Sequence, residues 1–408
     1  MKTSRIRLAA ALAMLGTAGA ASAAPVTQVA AAVGIPNQYI VVLDRATMAE
    51  PARRQGLGAL VQTLVTRVGG AEIVAQYEHA LLGFAARMTR VQADALAAQP
   101  GVALVEQDQV MTANAETTTQ TNATWGLDRV DQRSRPMDGL YIYPASAGLG
   151  SHVYVIDTGL NAAHTDFAGR VAPGQNFAPN NRTLLGLFGR TDPENTTDCN
   201  GHGTHVAGTA VGTLYGVAKR ATLHPVRVLG CNGSGTNAGV IAGVDWVTAN
   251  HIAPAVANMS LGGGASAALD TAVSNSIAAG VVYALSAGND NADACGQSPG
   301  RTPAGITVGA TDNTDTRASF SNFGSCVDLF GPGVSITSAS STSNSGTVVL
   351  SGTSMSSPHV AGAAAIIRGA NPTLTPAAVT DRLLGDATLG IVTSPGAASP
   401  NVLLYVAR

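Results

Sequence analysis

The segment HVYVIDTGL, residues 152–160, is a short apolar run that stops abruptly on an acid, a threonine and a glycine. Valine, tyrosine and isoleucine favour a strand, and the Asp-Thr-Gly ending punctuates it. The segment therefore reads as a buried strand with Asp157 at its C-terminal end. Four more runs of the same kind follow: LHPVRVL (223–229), AVANMSL (255–261), VVYALSA (281–287) and GITVGA (305–310). Between and after them lie Ala/Gly-rich stretches with helical character, at 204–211, 238–250, 268–279, 357–368 and 376–384. Strands alternating with helices predict an α/β fold, a doubly wound parallel sheet with helices on both faces. The 47 glycines suit tight loops and close helix–sheet packing. In such a sheet, functional groups collect beyond the C-terminal ends of the strands.

Four residues stand at such places. Asp157 is costly to bury unless hydrogen-bonded, and by itself it is better explained by a cap on the next turn than by catalysis. In NGHGTHVAG, His202 opens a helix of small residues between Gly201 and Gly203, which let the backbone turn sharply and come close. His202 and His205 have a spacing that can share a helix face, but no H-E-x-x-H pattern supports zinc. In SAGND, Asn289 lies just past a strand, where asparagine is also an ordinary turn residue. In SGTSMSSPHVAG, Ser354 stands at the entrance of an apolar helix, as a cap would. Singly each is ambiguous. Together they supply a nucleophile, a base, a carboxylate to orient the base and a side-chain amide for a developing oxyanion.

The ends of the chain bound its setting. Lys2, Arg5 and Arg7 precede the apolar stretch 8–15, and Ala21-Ser22-Ala23 offers a cleavage site, so residues 1–23 read as a secretory signal. The apolar run is too short for a membrane anchor. A net charge of −2 with 12% charged residues argues against a nucleic-acid partner. Nothing points to oligomerisation, and a monomer is expected.

Residues 24–117 read as a separate segment. Strand-like runs at 37–44, 80–88 and 102–110 alternate with helical stretches at 59–68 and 89–99, which suits a small α+β module with a ferredoxin-like order. TANAETTTQTNAT, residues 112–124, has no apolar periodicity and is expected to be a cleavable linker to a second domain over 118–408. Four cysteines in an exported chain suggest disulfides, with three pairings possible. Sequence proximity favours Cys199 with Cys231 and Cys295 with Cys326.

The motifs VIDTGL, NGHGTHVAGT and SGTSMSSPHVAG resemble those of the subtilases, serine proteases, and within them the proteinase K-like group. ANMSLGGG, AAGVVYALSAGNDNADAC and ASFSNFGSCVDLFGPG are similar to the aqualysin-like branch. The order Asp157, His202, Ser354 is the subtilisin order, and GTSMS departs from the G-x-S-x-G of α/β-hydrolases. The resemblance covers about 120–406, and residues 38–111 resemble the inhibitor-type propeptide of these enzymes, with self-cleavage implied near 116–118. It implies a secreted, self-processing endopeptidase that acts on polypeptides and needs no cofactor for catalysis. Asp157, His202 and Ser354 would form the triad and Asn289 the oxyanion donor. Gly233, Ser234 and Gly235 on one side and Ser260, Leu261 and Gly262 on the other would hold the substrate as an added strand. Ser286, Ala287 and Gly288 would line the S1 wall, small and uncharged, which favours a hydrophobic or aromatic P1 with broad cleavage. The branch implies the same two disulfide pairs.

The resemblance also implies structural Ca²⁺. Asp328 with the carbonyls of Pro303 and Gly305 would make one site, and Asp128, Asp131, Gln132 and Asp138 another. Departures from the family pattern are Ser356 in place of alanine, Val206 in place of a cysteine, Ser286 in place of alanine, and a long loop over 176–199. That loop contains an apolar cluster, LLGLF at 184–188. Ser356 is tolerable if its hydroxyl finds a helical carbonyl, and LLGLF is expected to pack onto the body.

Overall fold

The computed structural model describes residues 26–27, 34–109, 116–178 and 192–407. The expected signal segment and the LLGLF cluster lie outside the described residues. The chain divides into two compact units, Met1–Thr112 and Ala113–Arg408.

The first unit holds a five-stranded sheet ordered Val26–Thr27, Val102–Gln109, Gly34–Leu43, Gly83–Arg87, Glu72–Tyr77. All pairs are antiparallel except the short first one. Helix Leu57–Arg67 turns Leu60, Val61, Leu64 and Val65 inward, the three-and-four spacing of one helix face, onto Val41, Phe84 and Val105. Helix Arg90–Ala97 begins with a full capping box between Thr89 and Gln92. Helix Arg45–Gln55 and strand Glu72–Tyr77 go beyond the expected elements. The strand alternates exposed and half-buried residues and so lacks the apolar run that would mark it.

The second unit is built on a nine-stranded sheet. Its order is Thr388–Leu389, Val402–Leu403, Leu329–Pro332, Ile306–Thr311, Val281–Ser286, Ala255–Met259, His152–Asp157, Thr222–Arg227, Gln175–Asn176. Neighbours are parallel except at the Thr388–Leu389 edge. Both faces of His152–Asp157 are buried. Val153 and Val155 enter the core shared with helices His202–Val211 and Thr353–Ala370. Tyr154 and Ile156 enter the opposite core with Val244 of Asn237–Asn250 and Val273 of Ala267–Ala278. That is the two-residue side-chain period of a strand working on two helix layers.

The chain leaves His152–Asp157 toward Thr222–Arg227 on one side and then crosses to Ala255–Met259 on the other. The winding therefore reverses at the strand that carries Asp157, and in such sheets the crevice beyond that point is the place for a site.

Two boundaries differ from expectation. The central helix begins at Thr353, not near 357, so Ser354 lies inside its first turn. The expected linker is in part a strand: Thr117–Thr121 pairs antiparallel with Leu140–Pro144. Threonine's β-branch suits that role once a partner strand is supplied, and only the partner makes it visible.

Candidate active site

Asp157 is fully buried at the end of its strand. Its Oδ1 accepts the Thr158 N–H at 2.7 Å and stands 2.7 Å from His202 Nδ1. These partners compensate a charge that would otherwise be expelled from the core. His202 is the first residue of its helix, with 27% of its side chain exposed. Gly201 before it takes φ 110°, the left-handed region that a side chain would strain. Gly203 after it packs so closely that a Cβ there would lie 2.3 Å from the Gly159 carbonyl oxygen. The two glycines thus let the imidazole face the strand end. Burial pushes the His202 imidazole down, but the Asp157 charge, its hydrogen bond and the Asp198 charge outweigh burial and hold it above the ordinary histidine value.

His205 turns the other way. It is buried, with Nε2 2.9 Å from the Ile336 carbonyl oxygen, and burial brings its imidazole down to about 4. It shares no ion site with His202. Among the described residues, no group of three or more His, Cys, Asp or Glu gathers to hold a metal.

Ser354 Oγ donates to the Ser260 carbonyl at 3.3 Å, and Ser260 Oγ donates to the Ser354 carbonyl at 2.7 Å. Asn258 joins this lattice, donating to Ser260 Oγ at 2.9 Å and accepting from Ser357 Oγ at 2.8 Å. The first turn of the central helix is thereby pinned to the strand that leads into 260–263. Ser260 and His202 line one cavity, with Gly233, Ser234 and Gly235 and with Leu261 and Gly262. The Ser354 hydroxyl is engaged with Ser260 O, and it makes no hydrogen bond to His202.

Asn289 Oδ1 accepts from Thr353 N at 2.8 Å and Thr353 Oγ1 at 3.0 Å. Its acceptor end is thus committed, which leaves Nδ2 as the donor end. A Cβ built on Gly352 would lie 3.6 Å from Asn289 Nδ2 and 3.6 Å from Ser354 N. The Asn289 side chain and the Ser354 N–H thus both border the space beside Gly352 at the positive end of an 18-residue helix.

The expected S1 residues are joined to these walls. Ser286 Oγ donates to Leu261 O at 3.4 Å, and Gly288 N donates to Thr353 Oγ1 at 3.2 Å. Gln297 is an addition that no motif flagged. Its Oε1 lies 2.3 Å from where a Gly288 Cβ would be and 3.8 Å from where a Gly262 Cβ would be. Its amide therefore stands between the two walls, with Nε2 donating to Asp290 Oδ2 at 2.5 Å. Ser356 is satisfied differently from expectation: its buried hydroxyl donates to the strand carbonyl of Gly331 at 3.0 Å, not to a helical one.

The disulfides pair Cys199 with Cys231 and Cys295 with Cys326. Each closes a loop of about thirty residues and contributes on the order of 3 kcal/mol on a chain-entropy account. Asp328 Oδ2 accepts the Thr307 N–H at 2.7 Å, beside the 303–305 turn, and burial pushes its carboxyl up to about 6. A carboxylate desolvated to that degree is one a cation would stabilise. In the second calcium set the Asp128 and Asp138 carboxyls interact with each other, while no group of three or more His, Cys, Asp or Glu gathers for a metal among the described residues. Asp128 accepts N–H groups of Asp138 and Gly139, Asp131 accepts Ile142 N, and Asp138 accepts Leu140 N. Gln132 donates to the Ser134 and Pro136 carbonyls. The backbone donors of 138–142 thus reach all three acids directly.

The subtilase family model matches residues 148–400, and the peptidase inhibitor I9 model matches residues 38–114. The chain is 51% identical over 394 residues to an extracellular serine proteinase of Thermus sp. (strain Rt41A), spanning 94% of this chain and 92% of that protein. It is 45% identical over 379 residues to alkaline serine exoprotease A of Vibrio alginolyticus, spanning 91% of this chain and 68% of that protein. The crystal structure of a cold adapted subtilisin-like serine proteinase superposes with a TM-score of 0.65 at 50% identity, covering 70% of this chain and 99% of that one. On the extent of these matches, the chain belongs to the subtilase family of serine proteases, in its aqualysin-like branch, and carries a peptidase inhibitor I9 segment ahead of the protease domain.

Proposed function

We propose that the protein is a secreted endopeptidase whose chemistry is carried by Asp157, His202, Ser354 and Asn289. The observation that carries this reading is the 2.7 Å Asp157–His202 contact, with His202 in one cavity with Ser260, whose carbonyl and hydroxyl are hydrogen-bonded to Ser354. Ser354 Oγ leaves the Ser260 carbonyl and attacks the scissile carbonyl carbon as His202 Nε2 takes its proton. Asp157 holds the Nδ1–H tautomer and stabilises the imidazolium. The oxyanion accepts from Asn289 Nδ2 and Ser354 N–H. His202 then gives its proton to the leaving amine, and water, deprotonated by the same nitrogen, releases the acyl group.

The substrate lies as an extended strand between 233–235 and 260–262, held through main-chain hydrogen bonds, which gives broad cleavage. Small walls at Ser286, Ala287 and Gly288 favour an apolar P1, with Gln297 closing the slot. The I9 segment serves as an intramolecular inhibitor of the precursor until self-cleavage near 116–118, and the product acts as a monomer outside the cell. A phosphonofluoridate should add to the peptide holding Ser354 and to no other, with loss of activity in step. Labelling elsewhere, or inactivation without labelling, would contradict the assignment.

Calcium is the finer part of the reading. Asp328 with the Pro303 and Gly305 carbonyls fits a hard-cation site, where the ion would be structural. At neutral pH the raised carboxyl costs stability, since its charged form is disfavoured in the folded state, and a bound cation offsets that. Saturating calcium at about a hundredfold excess over its dissociation constant would add about 3 kcal/mol. Excess chelator should therefore lower the melting temperature by several degrees. Asp328→Asn should be indifferent to chelator, and an identical response in both proteins would remove the site.

A further inference from the structure

Asp198 has no part in the reaction just described, yet it is 6% exposed and ringed by donors. Its Oδ1 accepts Thr158 Oγ1 at 2.9 Å, Asn200 N at 3.0 Å and Gly201 N at 2.8 Å. Its Oδ2 accepts Thr204 N at 2.9 Å and Thr204 Oγ1 at 2.7 Å. Burial pushes this carboxyl up, but the hydrogen bonds from Gly201, Thr204 and Thr158 outweigh that and keep it ionised below the usual range.

The helix that opens on His202 needs such a group. Its N-cap is Gly201, which offers no side chain to the first-turn donors. Asp198 supplies the missing acceptor from before the turn. It also reaches across to the strand end through Thr158, whose Oγ1 accepts Gly203 N at 2.8 Å. Thr158 directly follows Asp157, and Gly201 and Gly203 flank His202. One carboxylate and one hydroxyl thus fasten together the two short segments that carry the acid and the base.

We propose that Asp198 is a positioning residue for the protease reaction, holding the His202 ring against Asp157 and supplying a second negative charge to the imidazolium. This rests on His202 being the general base. The fastening and the charge are separable. Thr158→Val removes the cross-link and keeps the carboxylate, whereas Asp198→Asn weakens the cross-link and removes the charge.

Both variants would be made in the full chain, and kcat and KM followed across pH on enzyme counted by phosphonofluoridate titration. Asp198→Asn should lower kcat by about 10²-fold with KM changed little, the size of a misplaced catalytic group. The acid limb of kcat/KM should move to lower pH, since the imidazole loses a charge that favours its protonated form. Thr158→Val should also lower kcat but leave that limb in place. Wild-type kcat and an unmoved limb in Asp198→Asn, or a limb displaced equally in both variants, would overturn the proposal. Where Asp198→Asn yields no titratable enzyme, Thr158→Val decides: wild-type kcat there overturns the fastening. His202→Ala tests the underlying assignment separately, because activity retained by it refutes the base whatever Asp198 does.

Discussion

Ser354→Ala should lower kcat/KM for peptide hydrolysis by about 10⁶-fold, as expected when the nucleophile of a concerted set is removed. The residual rate over water would come from the binding cleft and the oxyanion donors alone. The same substitution should leave the secreted chain uncut, still carrying its I9 segment, so an intact-mass measurement reads both effects. Folding should be little affected, because the side chain loses one hydroxyl and a single 3.3 Å contact to the Ser260 carbonyl. A mature-length Ser354→Ala product in a host free of other proteases would refute the nucleophile.

Asn289→Ala should lower kcat by about 10²–10³-fold with KM nearly unchanged, since the amide works only when the oxyanion has formed. The fixed Oδ1 contacts to Thr353 set this expectation apart from a plain turn residue. A turn asparagine removed at an exposed position would disturb stability and spare the rate. Asn289→Ala with wild-type kcat would leave the Ser354 N–H and the helix end as the whole oxyanion site.

The parts of the fold that could be read from the sequence share a property. Runs such as 152–157 and 281–286 have an unbroken apolar stretch of four or five residues and lead into Asp-Thr-Gly or Ala-Gly-Asn, so both the strand and its limit are written locally. Leu329–Pro332, Glu72–Tyr77 and Thr117–Thr121 were not legible that way, being short, glycine-bearing or polar and made into strands by their neighbours. The candidate site divides similarly. Asp157, His202, Asn289 and Ser354 each sit at a junction between a run and a break. Asp198, Asn258 and Thr353 act through partners that only folding brings near. The Asn258–Ser357 bond, for example, spans 99 positions. For Asp198 a signal existed: an acid a few residues ahead of a helix whose own cap position is glycine. Gln297 carried none, because its meaning lies in the two glycines it stands between.

The pairing of Thr117–Thr121 with Leu140–Pro144 bears on how such an enzyme survives its own company. A cleft that takes peptide as an added strand will accept any loose, extended, polar stretch, and the nearest supply at high concentration is sister molecules. In this two-stranded ribbon one edge of the five threonine-rich positions is paired and the other is open, so a digesting neighbour could grip them only by adding to the open edge. After cleavage near 116–118, the new start of the protease domain thus offers the next copy one grip in place of two.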